Sequence, residues 1–287
     1  MVNETALNER VIIVTGGGSG LGRAMSIALA EAGARVVLAE INRQHAEEAL
    51  DEARQKGVAD RVRHISTDVT DAASADAVVD ETVKAFGGLF GLVNCAGIGY
   101  HEDGVPVMPP PPFYELKPAG WRQVVDVNLN GPFFMARAAT PHMLKAGQGR
   151  IVNVTTSYGT MQRPRMSPYG QTKAAPETAT MIWARELDGS GVTVNVLIPG
   201  GAADTRLIPD APGTGMRGPG NKLASPEVMK APIVWLMSDA SAEVTCRRFI
   251  GKWWNPDSPP DEAASKVGRP AGWPVPEGQG GDEDLAD

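Results

Sequence analysis

The chain has 287 residues, 42% of them hydrophobic and 21% charged, an ordinary globular composition long enough to bury one large core. A net charge of -7, with no extended Lys/Arg cluster, argues against nucleic acid or an anionic membrane as a partner. The N-terminus lacks the apolar stretch of a signal peptide, and no segment reaches the roughly 18 apolar residues of a membrane span, so a cytoplasmic protein is expected.

Short β-branched runs alternate with longer helical patterns, the signature of βαβ units around a parallel sheet. Val11 to Val14 reads as a first buried strand, from which Thr15-Gly-Gly-Gly-Ser-Gly-Leu-Gly22 turns into a helix over Leu21 to Ala32. Strands over Arg35 to Ala39, Val62 to Ile65 and Gly91 to Asn94 follow, with helices over Arg43 to Lys56 and Ser74 to Phe86 between them. Residues 100–118, which include Met108-Pro-Pro-Pro-Pro-Phe113, interrupt the alternation as a stiff polyproline-like insertion. A long helix over Trp121 to Lys145, a strand over Ile151 to Val154, a helix over Tyr169 to Leu187 and a strand over Val192 to Ile198 come next. A Gly/Pro-rich loop at about 201–223 precedes a last strand containing Phe249 and Ile250. The reading is one α/β domain over 1–254 with about seven strands. A Pro/Gly-rich acidic tail at 255–287 is either a linker or an arm packed on a partner. Cys95 and Cys246 make neither metal-ligand spacing nor a disulfide framework, so both read as structural thiols in a reducing compartment and no metal site is expected.

Chemistry concentrates at two places. In the first, small residues sit where a strand turns sharply into a helix, so that backbone N–H groups and the positive helix end can approach a pyrophosphate. Gly16, Gly20 and Gly22 carry this turn, with Gly18, Ser19 and Leu21 between them. An acid about 20 residues on strengthens the reading. That acid is Glu40, closing Val36-Val-Leu-Ala-Glu40, where a carboxylate can bond both ribose hydroxyls of NAD and repel the 2′-phosphate of NADP. NAD is therefore expected over NADP, with Arg43 available to a phosphate if the preference is reversed. In the second place, Tyr169 and Lys173 lie four residues apart on one helix face, where a cation would favour the phenolate and so make the Tyr an acid/base.

With these motifs the chain resembles the short-chain dehydrogenases/reductases of the roughly 250-residue type, over residues from about 10 to 250. The resemblance also rests on Asp68-Val69, Asn94-Cys-Ala-Gly97, Asn128 in Asp-Val-Asn-Leu-Asn-Gly, Ile151-Val-Asn-Val154 and Pro199-Gly200. It implies a single doubly wound Rossmann sheet and reversible oxidation of a secondary alcohol to a ketone, with a small-molecule substrate and a homo-oligomer, tetramer or dimer. Tyr169 would be the general acid/base, Lys173 would hold the nicotinamide ribose, and Asn128 would anchor a water relaying protons to Lys173. Asp68, Val69, Asn94, Ala96, Gly97, Pro199 and Gly200 would line the cofactor, Asp68-Val69 beside the adenine. Two alternatives stay open: an NADPH-dependent reductase of a 3-oxoacyl or similar carbonyl, and a catalytically silent dinucleotide-binding sensor or scaffold.

The chain departs from the family in four places. Where the family has Asn-x-Ser-Ser, it reads Asn153-Val-Thr-Thr156-Ser157, so either Thr156 or Ser157 would bond the substrate oxygen. After Pro199-Gly200, Asp204 takes the position of the Thr expected at the nicotinamide carboxamide, and a one-residue bulge would bring in Thr205. The loop at 201–223 fits a substrate lid, with Leu207, Ile208 and Met216 as pocket residues and Arg206 and Arg217 available for an acidic group. The insertion offers His101, Phe113 and Tyr114 for specificity or for an intersubunit surface. Near the C-terminus Lys252-Trp-Trp-Asn leaves Trp253 and Trp254 in need of burial.

Overall fold

A computed structural model of the chain describes residues 7–208 and 223–273. The first half runs β1 (Val11–Thr15), α1 (Gly20–Glu31), β2 (Arg35–Ala39), α2 (Arg43–Gln55), β3 (Val62–Ile65), α3 (Ala72–Phe86) and β4 (Gly91–Asn94). A small hairpin, β5 (His101–Glu102) and β6 (Val105–Pro106), leads to α4 (Pro118–Val125) and α5 (Gly131–Ala146). The second half continues with β7 (Gly149–Val154), α6 (Tyr158–Met161), α7 (Tyr169–Glu186), β8 (Val192–Ile198), α8 (Lys230–Leu236), β9 (Arg247–Ile250), α9 (Pro260–Val267) and β10 (Arg269–Pro270).

Local chemistry sets the boundaries. Asn42 caps α2 by accepting from His45 N, Asp71 caps α3 by accepting from Ala73 N, and Gly87 ends α3 in the left-handed conformation. The strands of the centre are buried along their whole length, because helices cover both faces. On one face β1, β2 and β8 pack Ile12, Leu38 and Leu197 against Met25 and Leu29 of α1 and Ile233 of α8. On the other, Ile13, Leu92 and Ile151 meet Val78 of α3 and Met135 and Met143 of α5.

The main sheet has eight strands in the order β3-β2-β1-β4-β7-β8-β9-β10, parallel throughout except for antiparallel β10. The strand order reverses between β1 and β4, so the carboxyl ends of β1, β4 and β7 open a crevice in which ligands bind in such folds. The expected Rossmann architecture is present, with one strand more than the seven expected.

Three sequence expectations change. The long helix over Trp121 to Lys145 is broken by a π turn, Asp126–Asn130, because the Asn128 side chain bonds the backbone of Ile98 and pulls that turn towards the β4 loop. Residues 255–273 are not a plain linker: α9 packs Ala263, Ala264 and Val267 into the core, and β10 extends the sheet. Trp254 is buried within the same chain beside Trp235, their rings 5.9 Å apart, whereas Trp253 is 59% exposed. The lid residues 209–222, among them Met216 and Arg217, lie outside the described residues, as does the end of the chain from 274.

Candidate active site

Tyr169 is the first residue of α7 and Lys173 stands one turn further along it. Both line a cavity of about 360 Å3 at the carboxyl ends of the strands, with Leu21, Cys95, Gly97, Thr155, Thr156, Ser157, Pro199 and Thr205 in its wall. Lys173 Nζ lies 6.0 Å from the Tyr169 ring centroid and donates to Val154 O at 3.0 Å. Burial drives the Lys173 pKa down and, with nearby Cys95, pushes the Tyr169 phenol up to about 12.

Asn128 is fully buried; its Oδ1 accepts from Ile98 N at 2.8 Å and its Nδ2 donates to Ile98 O at 2.9 Å. A Cβ placed on Gly97 would sit 3.2 Å from Lys173 Nζ and 3.4 Å from Asn128 Oδ1, so the three converge.

The three hydroxyls after β7 divide their work. Thr155 Oγ1 donates to Glu177 Oε1 at 2.6 Å. Ser157 Oγ pairs with Thr160 Oγ1 at 2.8 Å and caps α6 by accepting from Thr160 N. Thr156 is buried in the cavity wall, and its hydroxyl makes no hydrogen bond among the described residues. Its carbonyl accepts from Arg248 Nη2 at 2.7 Å, and Arg248 Nε in turn meets Glu177 Oε1 at 2.9 Å in an ion pair buried on both sides. The Arg248 guanidinium also lies 4.2 Å from the Tyr158 ring centroid. Sequence reading missed Glu177 and Arg248; the first follows Lys173 by one turn on the buried side of α7, and the second is a charge in the otherwise apolar end of β9.

The glycine turn is built for close approach. Gly20 sits at φ 51°, and a Cβ there would lie 2.9 Å from Thr205 Cγ2; at Gly22 it would lie 2.2 Å from Gly16 O. The Thr15 hydroxyl beneath accepts from Cys95 N and Ala96 N, both at 3.0 Å, fixing the loop after β4 against the turn. Glu40 is buried at the end of β2, its two carboxylate oxygens accepting from Gly18 N at 3.2 Å and Asn42 N at 3.0 Å. A cradle with no room for side chains, backed by a fixed carboxylate, fits a dinucleotide. Ser19 and Gly20 also line a second cavity of about 530 Å3 with Arg23, Asp204 and Arg206.

Other expected cofactor residues lie nearby with different duties. Asp68 Oδ1 accepts from Thr70 N at 2.9 Å and Thr70 Oγ1 at 2.7 Å, closing its own turn. Val69 is buried, with its Cγ2 3.0 Å from where a Gly131 Cβ would stand. Asn94 does not line the cavity: it is buried at the end of β4 beside its β7 partner, its Nδ2 donating to Asn153 Oδ1 at 2.9 Å. Gly200 takes a left-handed φ of 90° beside Ile250. Thr205 lines the Tyr169 cavity and Asp204 does not, while both line the second cavity.

The substrate end also differs from expectation. Leu207 and Ile208 line the cavity, but Arg206 does not, because Glu48 on α2 holds it through both carboxylate oxygens at 2.8 and 3.0 Å. From the insertion Met108 and Pro109 reach the cavity, whereas His101, Phe113 and Tyr114 do not. Phe113 and Tyr114 pack edge to face on the exposed surface, their centroids 5.5 Å apart. Arg163 and Arg165, singled out by nothing in the sequence, line the cavity as well.

A doubly wound sheet, a glycine turn with an acid at the end of β2, and a Tyr/Lys pair at the same crevice define a nicotinamide-dinucleotide oxidoreductase. The sequence pattern of the short chain dehydrogenase family matches residues 10–211, and the chain belongs to that family. It is 37% identical over 245 residues to cis-4-hydroxycyclohexanecarboxylate dehydrogenase of Sinomonas cyclohexanicum, covering 83% of this chain and 93% of that protein. It is 32% identical over 243 residues to the 3-oxoacyl-[acyl-carrier-protein] reductase FabG of Thermotoga maritima, covering 83% and 94%. Among solved structures it superposes on a gluconate 5-dehydrogenase from Burkholderia cenocepacia in complex with NADP and tartrate. The TM-score is 0.72 at 28% identity, with 85% of this chain and 94% of that one covered. A 3-ketoacyl-(acyl-carrier-protein) reductase from Brucella melitensis complexed with NADH gives the same TM-score of 0.72, also at 28% identity, with 83% and 95% covered. The protein is thus an oxidoreductase that transfers hydride between a nicotinamide cofactor and the CH–OH group of an alcohol or its ketone.

Proposed function

We propose that the protein oxidises a ring-borne secondary alcohol with NAD, using Tyr169 as proton acceptor. One observation carries the reading: Tyr169, Lys173 and the unpartnered hydroxyl of Thr156 share one cavity with Leu21 of the glycine turn. A dinucleotide whose pyrophosphate is held at that turn would supply the hydride acceptor. Thr156 donates a hydrogen bond to the substrate oxygen while Tyr169 takes its proton, and Lys173 binds the ribose and replenishes the proton path. Ser157 is committed to capping α6 and holds the wall. Asn128, whose side chain is fixed by Ile98 and Thr172, anchors the water that relays protons to Lys173.

Glu40 supports NAD over NADP, since its fixed carboxylate accepts from ribose hydroxyls and repels a 2′-phosphate. Arg43 is paired with Glu47 at 2.8 Å instead of facing that site. The ring-borne substrate is supported by the relative acting on cis-4-hydroxycyclohexanecarboxylate. An NADPH-dependent 3-oxoacyl reductase is the second reading, favoured by the FabG likeness and opposed by Glu40. Exposed Trp121, Phe133 and Leu144 on α4 and α5, and Ile182 on α7, support a homo-oligomer, dimer or tetramer. The free thiols Cys95 and Cys246 support a cytoplasmic setting.

Titration with NADH and NADPH, followed by protein fluorescence, tests the cofactor: NADH binding at least about tenfold tighter is expected, a difference of about 1.4 kcal/mol. Equal or reversed affinities would remove the NAD assignment. Oxidation of cyclohexanols with NAD tests the activity, and cofactor binding without any turnover would leave the silent sensor.

A further inference from the structure

We infer that the substrate carries a carboxylate, read at the cavity wall by Arg165 with Arg163 beside it; the inference rests on the alcohol-dehydrogenase reading of the same cavity. In a chain of net charge -7, the described residues lining this cavity include three cations, Lys173, Arg163 and Arg165, and no acid. Lys173 is taken up with Tyr169 and Val154. Neither arginine pairs with a carboxylate among the described residues, whereas the nearby Arg206 and Arg248 are held by Glu48 and Glu177.

Arg165 is placed, not merely present. Its backbone lies at φ 63°, a conformation that a bulky residue adopts at a cost and that elsewhere marks functional positions. Its Nε donates to Pro110 O at 2.9 Å, which ties the guanidinium to the proline-rich insertion and leaves the two Nη groups for a ligand. A guanidinium fixed in this way presents parallel N–H donors that match the two oxygens of a carboxylate. The same wall carries the apolar side chains of Met108, Pro109, Met166 and Leu207. A hydrocarbon body that carries both a hydroxyl and an acid matches that set of surfaces. The insertion, on this view, exists to hold the acid-reading arginine.

The test compares kcat/KM with NAD for 4-hydroxycyclohexanecarboxylate and for 4-methylcyclohexanol, its uncharged near-isostere. Wild type is expected to favour the acid by roughly tenfold or more, about 1.4 kcal/mol. Arg165→Gln should bring the ratio towards one, mainly through the KM of the acid; Arg165→Lys should restore part of it, and Arg163→Gln should lower it less. A wild-type ratio near one, or a ratio unchanged in both Gln variants, overturns the carboxylate assignment and leaves the dehydrogenase reading standing. Failure of wild type to oxidise either alcohol overturns that reading and this inference with it.

Discussion

Tyr169 holds its proton more tightly than a free phenol because the cavity wall removes water from it, and Cys95 beside it is pushed up to about 12 by the same burial. Both folded values lie above the ordinary ones, 10.0 for Tyr and 9.0 for Cys, so both groups favour folding fully below those values. That contribution fades as pH rises towards 12. Denaturant unfolding of the cofactor-free protein should therefore show wild type losing stability between about pH 9 and 12, with a shallower loss in Tyr169→Phe and in Cys95→Ala. Equal slopes would mean that neither group is buried as described. The same Tyr169→Phe change should lower kcat by about 10²-fold or more while leaving NADH affinity nearly unchanged, because it deletes one proton acceptor and no dinucleotide contact. At the substrate oxygen, Thr156→Val keeps the shape and removes the hydroxyl, so kcat should fall by about 10²-fold. Ser157→Ala should instead cost about 1 kcal/mol of stability through its lost cap and spare most of kcat. The sequence left these two residues undecided because their roles depend on where α6 begins, and no local pattern announces the Ser157–Thr160 bond that starts it.

Helix α7 works as a ruler with one side facing the site. Tyr169 and Lys173 stand one turn apart, Glu177 follows a turn later, and Thr180 another turn on receives Asn153 Nδ2 at 2.9 Å. Only the first pair was legible in sequence, because Tyr-x-x-x-Lys is local. Glu177 gains meaning from Arg248, which lies 71 positions away on β9, and no pattern within α7 announces it. The break between α4 and α5 was hidden for the same reason: Asn128 breaks the helix through Ile98, 30 positions earlier. Strands and helices with strong periodicity were legible almost to the residue, as at Arg35–Ala39 and Val192–Ile198. The buried pair makes a prediction at this scale. Glu177→Gln leaves the Arg248 guanidinium buried without a counter-charge, which should cost about 3–5 kcal/mol in denaturant unfolding. Replacing both partners with Leu and Met should cost much less, since it leaves no unpaired charge. A similar loss in the single and double variants would show that packing, not charge, sustains the contact.

At the scale of the whole molecule the sheet has two ends with separate duties. The β1–β2 end carries the glycine turn and Glu40, while the β8–β9–β10 end supports the wall that holds Thr156 and Tyr158. Composition hid this second role, because the chain after 255 is rich in Pro and Gly, α9 is short, and Pro270 sits in the two-residue β10 on the sheet edge. Those residues nevertheless close the molecule. Ala271 N donates to Cys246 O at 3.0 Å and Gly272 N to Glu177 Oε2 at 3.4 Å; Tyr158 OH donates to Gly272 O, and Trp273 stacks on Tyr158 at 5.3 Å. Removal of 269–287 deletes β10 and each of these contacts, while removal of 274–287 keeps all of them. The first deletion should destabilise the protein by roughly 2–4 kcal/mol, at about 1 kcal/mol for each lost hydrogen bond. Because Tyr158 directly follows Ser157, which lines the cavity, the loss should reach the substrate: KM for the alcohol should rise. NADH affinity should stay within about threefold, since the glycine turn lies across the sheet. Calorimetry and steady-state kinetics on the two deletions separate the alternatives. If the shorter deletion matches the longer one in both readouts, the closing contacts of 271–273 contribute nothing, and the wall at Thr156 stands on Arg248 and Glu177 alone.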